Sequence, residues 1–228
     1  MKLKHEIYNP NSIVLNLEKY FVIPFGPRCT SAMITKFACL RKFSLPFDWC
    51  AMIYPQMIKD VIENDFNNFI PNVKNNIFCN KYNFTLHHFN SDIEEGINEY
   101  TRRIERFRNL MNVKDKIYFI YVNEDYLYNI NFRNINFNND IFNQMLELES
   151  YLKNKYVNLN YTILYFDFIK HEIPKDSNII NIVLESNIFY NEERRKIYRM
   201  FRNYCGKLLS EMFKTKFIPR FTIETFRK

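Results

Sequence analysis

The chain has 228 residues, 47% of them hydrophobic and 18% aromatic, enough apolar surface for one sizeable core without disulfide or metal staples; this excludes a disordered chain. Lys and Arg number 32 against 25 Asp and Glu, a formal net charge of +7. Such a surplus can steer anionic partners, but the enrichment in Asn, Ile, Lys, Phe and Tyr is what AT-rich coding sequence writes into proteins, and nucleic acid is disfavoured as a partner.

The five cysteines, Cys29, Cys39, Cys50, Cys79 and Cys205, form no Cys-x-x-Cys pair, so neither a metal site nor a redox motif is expected. Their odd number and wide spacing point to free thiols in a reducing compartment. The opening residues, Met1-Lys2-Leu3-Lys4-His5-Glu6, lack the apolar core of a signal peptide. No apolar run approaches the roughly 20 residues of a membrane span. The expectation is a cytoplasmic protein with no membrane partner, in the host cytoplasm if the source is a large DNA virus. The pattern says nothing about oligomeric state.

In chain order, residues 20–25 read as a buried strand, broken by Gly26-Pro27. Met33, Ile34, Phe37, Ala38 and Leu40 are spaced for a helix over 30–40. A loop over 44–49 contains Pro46, and a short helix follows over 55–66. Residues 67–83 look irregular, and 82–87 suit a short strand. Ile97, Tyr100, Ile104, Phe107 and Met111 recur at helical spacing over 93–111. Lys116 to Val122 is a strand of aromatic and β-branched residues. A helix over 138–153 carries Ile141, Met145, Leu148 and Leu152 on one face, with Asn139 or Asp140 as its cap. Strands follow over 161–168 and 178–184. A last helix covers 191–213, with Asn191 as N-cap, Glu192 and Glu193 in the first turn, and a buried stripe of Ile197, Phe201, Tyr204, Leu208 and Met212. This alternation predicts a single α/β domain over 1–228, a mostly parallel sheet with helices on both faces.

In such sheets ligands bind beyond the carboxyl ends of the strands. There the sequence places Cys29 after the first strand, then His87, then Asn123-Glu124-Asp125, then Asp167. A helix N-terminus or a nearby cation lowers a thiol pKa from about 8.5 into the range of roughly 3.5 to 7.5. Cys29 follows Gly26-Pro27-Arg28 at a predicted helix start, so the helix dipole and Arg28 are expected to favour its thiolate. The free N–H groups of that turn suit an oxyanion. Cys39 and Cys205 read as small core residues. A thiol nucleophile needs a base, and His87 and His88 are the candidates, with His171 in reserve. Asp125 or Asp167 could orient the imidazole.

Pro46-Phe47-Asp48-Trp49 reads as a loop anchored into the core by Phe47 and Trp49. Asp48 then needs a partner, and Arg41, Arg103 or Arg106 could supply one. Asp48 is either a site carboxylate or a loop clamp. Arg103 and Arg106 share an edge of the 93–111 helix and could hold Asp48 or an anionic substrate group.

Four features, taken in order, carry a resemblance: the strand and turn ending in Gly26-Pro27-Arg28-Cys29; Leu40-Arg41 followed by Pro46-Phe47-Asp48-Trp49; Asn64-Asp65-Phe66 followed by His87-His88-Phe89; and the helix segment Tyr100-Thr101-Arg102-Arg103-Ile104-Glu105-Arg106-Phe107. Over residues 20–170 the chain resembles a family of uncharacterised proteins described as papain-like cysteine peptidases, a domain of unknown function in bacteria and large DNA viruses. Residues 171–228 would complete the sheet and add a C-terminal helix. The resemblance implies Cys29 as nucleophile and His87 or His88 as base.

The expected function is therefore a cysteine hydrolase acting on a peptide, isopeptide or ester bond. Catalytic candidates are Cys29, His87, His88, Asp48 and Asp125. Substrate-binding candidates are Gly26, Arg28, Trp49, Arg103 and Arg106. A protein or peptide substrate is expected, with no cofactor and no metal. Two alternatives stay open: an enzyme acting on an anionic or nucleotide-linked substrate, disfavoured by the lack of a Gly-rich phosphate loop, and a non-enzymatic viral protein-binding module.

Overall fold

The computed structural model describes residues 5–8, 15, 17–51, 53–67, 69–70, 85–86, 92–124, 141–184 and 194–219. In chain order the elements are β1 (His5–Tyr8), β2 (Tyr20–Pro24), α1 (Cys29–Phe37), β3 (Cys50–Ala51), α2 (Pro55–Glu63), β4 (Thr85–Leu86), α3 (Ile93–Leu110), β5 (Lys116–Val122), α4 (Ile141–Lys155), β6 (Tyr161–Asp167), β7 (Ile179–Leu184) and α5 (Arg194–Met212). The main sheet has the order β1-β7-β6-β5-β2. Its last four strands are parallel and β1 is antiparallel to β7. This is the mostly parallel α/β architecture that the alternation predicts.

The side-chain period of two sorts the strands onto two faces. Ile117, Phe119 and Tyr121 of β5 join Ile23, Ile163 and Tyr165 in a core under α2, α3 and α4. Tyr118, Ile120 and Val122 join Val22, Leu164 and Ile182 in a second core under α1 and α5. Both faces are thus covered, which is why the strands read as unbroken apolar runs. On the first face Phe25 stacks on Phe119 with centroids 4.2 Å apart and meets Phe47 edge-on at 5.6 Å.

Several local expectations need correction. The short strand ahead of His87 does not join the main sheet: Thr85–Leu86 pairs antiparallel with Cys50–Ala51 in a separate two-stranded ribbon. The helix of α1 stops at Phe37 rather than Leu40. Cys39 takes φ +54, its N–H bonds the Lys36 carbonyl, and the Leu40 N–H reaches back to Thr35 at 2.9 Å. This left-handed C-terminal turn throws Cys39 out of the core into an exposed position, while Cys205 is buried as expected.

Two glycines matter for packing. Gly26 has φ +78, and a Cβ there would lie 2.6 Å from Ile53 Cγ2. Gly206 of α5 faces α1, and a Cβ there would lie 3.0 Å from Phe37 Cβ. No helix among the described residues is long and apolar enough to cross a membrane.

Candidate active site at the carboxyl end of the sheet

Cys29 is the first residue of α1, and Arg28 is the N-cap with extended backbone and no side-chain capping bond. The turn before it is fixed by backbone. Phe25 N–H donates to Ile120 at 2.8 Å and Ile53 N–H donates to Pro27 at 3.0 Å. The Gly26–Pro27 peptide is cis, and the Ser31 hydroxyl donates to the Gly26 carbonyl. Gly26 is thus a close-approach residue between the turn and Ile53.

Around the sulfur stand side chains from three elements. The Arg202 guanidinium of α5 reaches Cys29 Sγ through Nη2 at 3.8 Å, and its Nε donates to Thr30 Oγ1 at 3.0 Å. Thr30 Oγ1 donates in turn to Glu124 Oε2 at 2.9 Å. Glu124 is fully buried just past β5, and Arg28 Nε lies 3.9 Å from its Oε1. Cys29 itself is partly exposed.

The thiol does not follow the electrostatic expectation drawn from the turn. Burial pushes the Cys29 pKa up, and this outweighs the lowering by Arg202; Glu124 raises it further, and the residue's own N–H and Arg28 lower it. Arg28 is a weak influence on the sulfur because its guanidinium lies toward Glu124.

Asp48 is fully buried and serves its own loop. Arg41 donates to its Oδ2 through Nε at 2.9 Å, and the Leu45 N–H donates to the same oxygen at 3.1 Å. Burial raises its pKa, with Arg41 opposing. Arg41, not Arg103 or Arg106, is therefore the partner. Arg103 pairs with Glu99 and lies over the Tyr100 ring at 4.6 Å. Arg106 donates to the Ser44 carbonyl at 3.3 Å. Phe47 is fully buried as expected, but Trp49 is only partly so, with the Arg41 guanidinium 5.2 Å above its ring.

His87, His88 and Asp125 lie outside the described residues, as do Cys79, the caps Asn139 and Asp140, and Asn191. The reserve histidine belongs elsewhere. Tyr161, Ile163 and Tyr165 set the odd face of β6 against α4, and Asp167 continues it. His171 Nε2 meets Asp167 Oδ2 at 2.7 Å, and its ring stacks on Phe142 of α4 at 4.1 Å. Asn123 Nδ2 also donates to Asp167, at 3.2 Å. This pair projects to the α4 side, whereas the Glu124–Thr30–Arg202 chain follows the even residues of β5 to the α1–α5 side.

Thr30 and Arg202 escaped the sequence-based site, and Glu124, although placed by the sequence at a strand end, was not among its candidate residues. Glu124 was within reach, because continuing the 118, 120, 122 face by one step lands on it. Arg202 was not: it meets Thr30 only through the docking of α5 on α1. A groove of about 330 Å³ lined by Met111, Lys114, Lys155 and Tyr156 lies at the opposite, amino-terminal end of the sheet. Its Lys155 donates to the Ile62 carbonyl.

Compared with protein-family models, with curated proteins and with solved structures, the chain matches none.

Proposed function

We propose that the protein is a cysteine hydrolase that works at the carboxyl end of its sheet, with Cys29 as nucleophile. The observation that carries this reading is that Cys29, a partly exposed residue, opens α1 with a guanidinium 3.8 Å from its sulfur. The motif resemblance to papain-like peptidases supports it through the order of its Cys and His residues, not through architecture.

Because burial raises the resting thiol, the proton leaves during attack rather than beforehand, and this makes a base indispensable. His87 or His88 takes that role. The sulfur attacks the carbonyl carbon of a peptide, isopeptide or ester while the imidazole takes the S–H proton. The tetrahedral oxyanion is held by N–H groups of the first turn of α1. Collapse expels the amine or alcohol, which receives the proton from the imidazolium and leaves a thioester. Water, deprotonated by the same imidazole, then hydrolyses the thioester, and the proton returns to sulfur.

The test is active-site labelling with a peptidyl electrophile. Cys29→Ala abolishes labelling and His87→Ala or His88→Ala reduces it on the order of 100-fold; a Cys29→Ala protein labelled as well as the parent ends the reading.

A second reading keeps the site and changes the substrate. Arg28 and Arg202 both border the N-terminus of α1, an arrangement suited to an anionic group. A thermal shift with nucleotides or sugar nucleotides that is lost in Arg202→Gln would favour it.

A further inference from the structure

We propose that Arg202 is the positioning residue for the Cys29 sulfur, oriented by the Thr30–Glu124 hydrogen-bond chain so that its guanidinium stabilises the thiolate as it forms. The inference deepens the reading of Cys29 as a nucleophile, but is measured by sulfur ionisation, not by turnover.

The geometry is directional. Arg202 Nε donates to Thr30 Oγ1, and Thr30 can accept it because its own hydrogen is given to Glu124. A hydroxyl that donates to a carboxylate is a better acceptor, so the two bonds reinforce each other. The Nε bond fixes the plane of the guanidinium, and Nη2 then falls 3.8 Å from the sulfur. The Tyr198 ring lies 5.5 Å from the guanidinium carbon and limits its freedom. Arginine suits such a task because its planar fork is pre-organised and always charged.

Among the described residues, the charges that act on the sulfur are those of Arg202, Glu124 and, most weakly, Arg28. They oppose one another: the two guanidinium groups favour the thiolate and the carboxylate disfavours it. Glu124 thus acts twice, directly against the thiolate and, through Thr30, in its favour by holding Arg202 in place. Without Glu124 the first effect is relieved at once. Without the Thr30 hydroxyl the orientation of Arg202 is lost while the carboxylate stays.

The experiment follows alkylation of Cys29 by iodoacetamide against pH, read on the Cys29 peptide by mass spectrometry so that the other cysteines do not interfere. Arg202→Gln is expected to move the ionisation midpoint up by roughly one pH unit, a tenfold loss of thiolate at a fixed pH below it. Glu124→Gln is expected to move it down. Circular dichroism checks that each variant is folded. Thr30→Val, nearly isosteric, is the second variant should Arg202→Gln not fold, and is expected to raise the midpoint as well. Opposite shifts for Arg202 and Glu124 are not produced by loosened packing alone. An unchanged midpoint in folded Arg202→Gln, or in folded Thr30→Val where only that variant folds, overturns the assignment. So does a Cys29 that is not alkylated at any pH. Normal shifts in a protein that shows no labelling by the peptidyl electrophile would keep Arg202 in this role and remove only the hydrolase reading.

Discussion

Glu124 accepts the Thr30 hydroxyl at 2.9 Å across 94 residues of sequence, joining the end of β5 to the first turn of α1. The carboxylate is fully buried and has the Arg28 guanidinium 3.9 Å away. Removing one partner of a buried charged pair costs about 3–5 kcal/mol, because the other is left uncompensated. Glu124→Ala is therefore expected to lower the unfolding free energy by about that amount, and Glu124→Gln by less; urea titration measures both. A loss below about 1 kcal/mol for the Ala variant would show that Glu124 is solvated, contrary to its burial.

Asp48 gives a linkage prediction. Burial holds its folded pKa above the ordinary carboxyl value, although Arg41 opposes this. A carboxyl raised on folding contributes stability when protonated, and that contribution disappears as pH rises from its unfolded value through its folded one. Relative to Asp48→Asn, the native protein should lose stability as pH rises above about 4. Denaturant unfolding at a series of pH values reads the difference between the two proteins. A difference that grows in favour of the native protein over that window would reverse the sign and place Arg41 as the stronger influence.

Gly26 tests the turn beneath Cys29. Its φ of +78 is strained for any L side chain, and a Cβ would lie 2.6 Å from Ile53 Cγ2 and 3.0 Å from the Ile53 carbonyl oxygen. Gly26→Ala should cost at least the roughly 1–3 kcal/mol of a strained backbone position. Trimming the neighbour in Gly26→Ala/Ile53→Ala should not restore the parent's stability, since the carbonyl contact and the φ remain. Full recovery in thermal unfolding would contradict this.

The cysteines differ in their readiness to react. Cys39 is exposed, Cys29 is partly so, and burial raises the Cys29 pKa. At pH 7.5 iodoacetamide should modify Cys39 faster, and the ratio should narrow as pH rises and the Cys29 thiolate fraction increases. Cys29 reacting first at neutral pH would mean that the arginines outweigh burial.

Phe47 meets Phe25, Phe66, Phe69 and Phe107 with centroids between 5.5 and 5.8 Å. Phe47→Ala should cost about 3–5 kcal/mol, seen as a lower denaturation midpoint. A near-neutral result would mean that the loop carrying Asp48 is not docked.

The sheet was legible because each parallel strand is buried on both faces, which leaves an uninterrupted apolar run such as Ile117 to Val122. The helices were legible from their stripes, as with Tyr100, Ile104 and Phe107. β1 was not: His5–Tyr8 is four residues long, largely exposed, and owes its strand geometry to pairing with β7. Thr85–Leu86 has the residue types of a strand, but two residues cannot reveal which sheet they join. Cys39 looked apolar and helical, yet the hydrogen bonds that end α1 decide its position. The first turn of α1 and its cysteine were readable from Gly26-Pro27. The company that the cysteine keeps was not, since it depends on how α5 docks.

That docking gives Gly206 an influence well beyond its own contacts. One helical turn after Arg202, it lets α5 lie tight against Phe37. A methyl group there would press on Phe37 Cβ at 3.0 Å, and any outward shift of α5 that relieves it carries a guanidinium away from a sulfur that the new atom never touches. The spacing of a charge from its target is thus gauged by a hydrogen atom at the far end of α1.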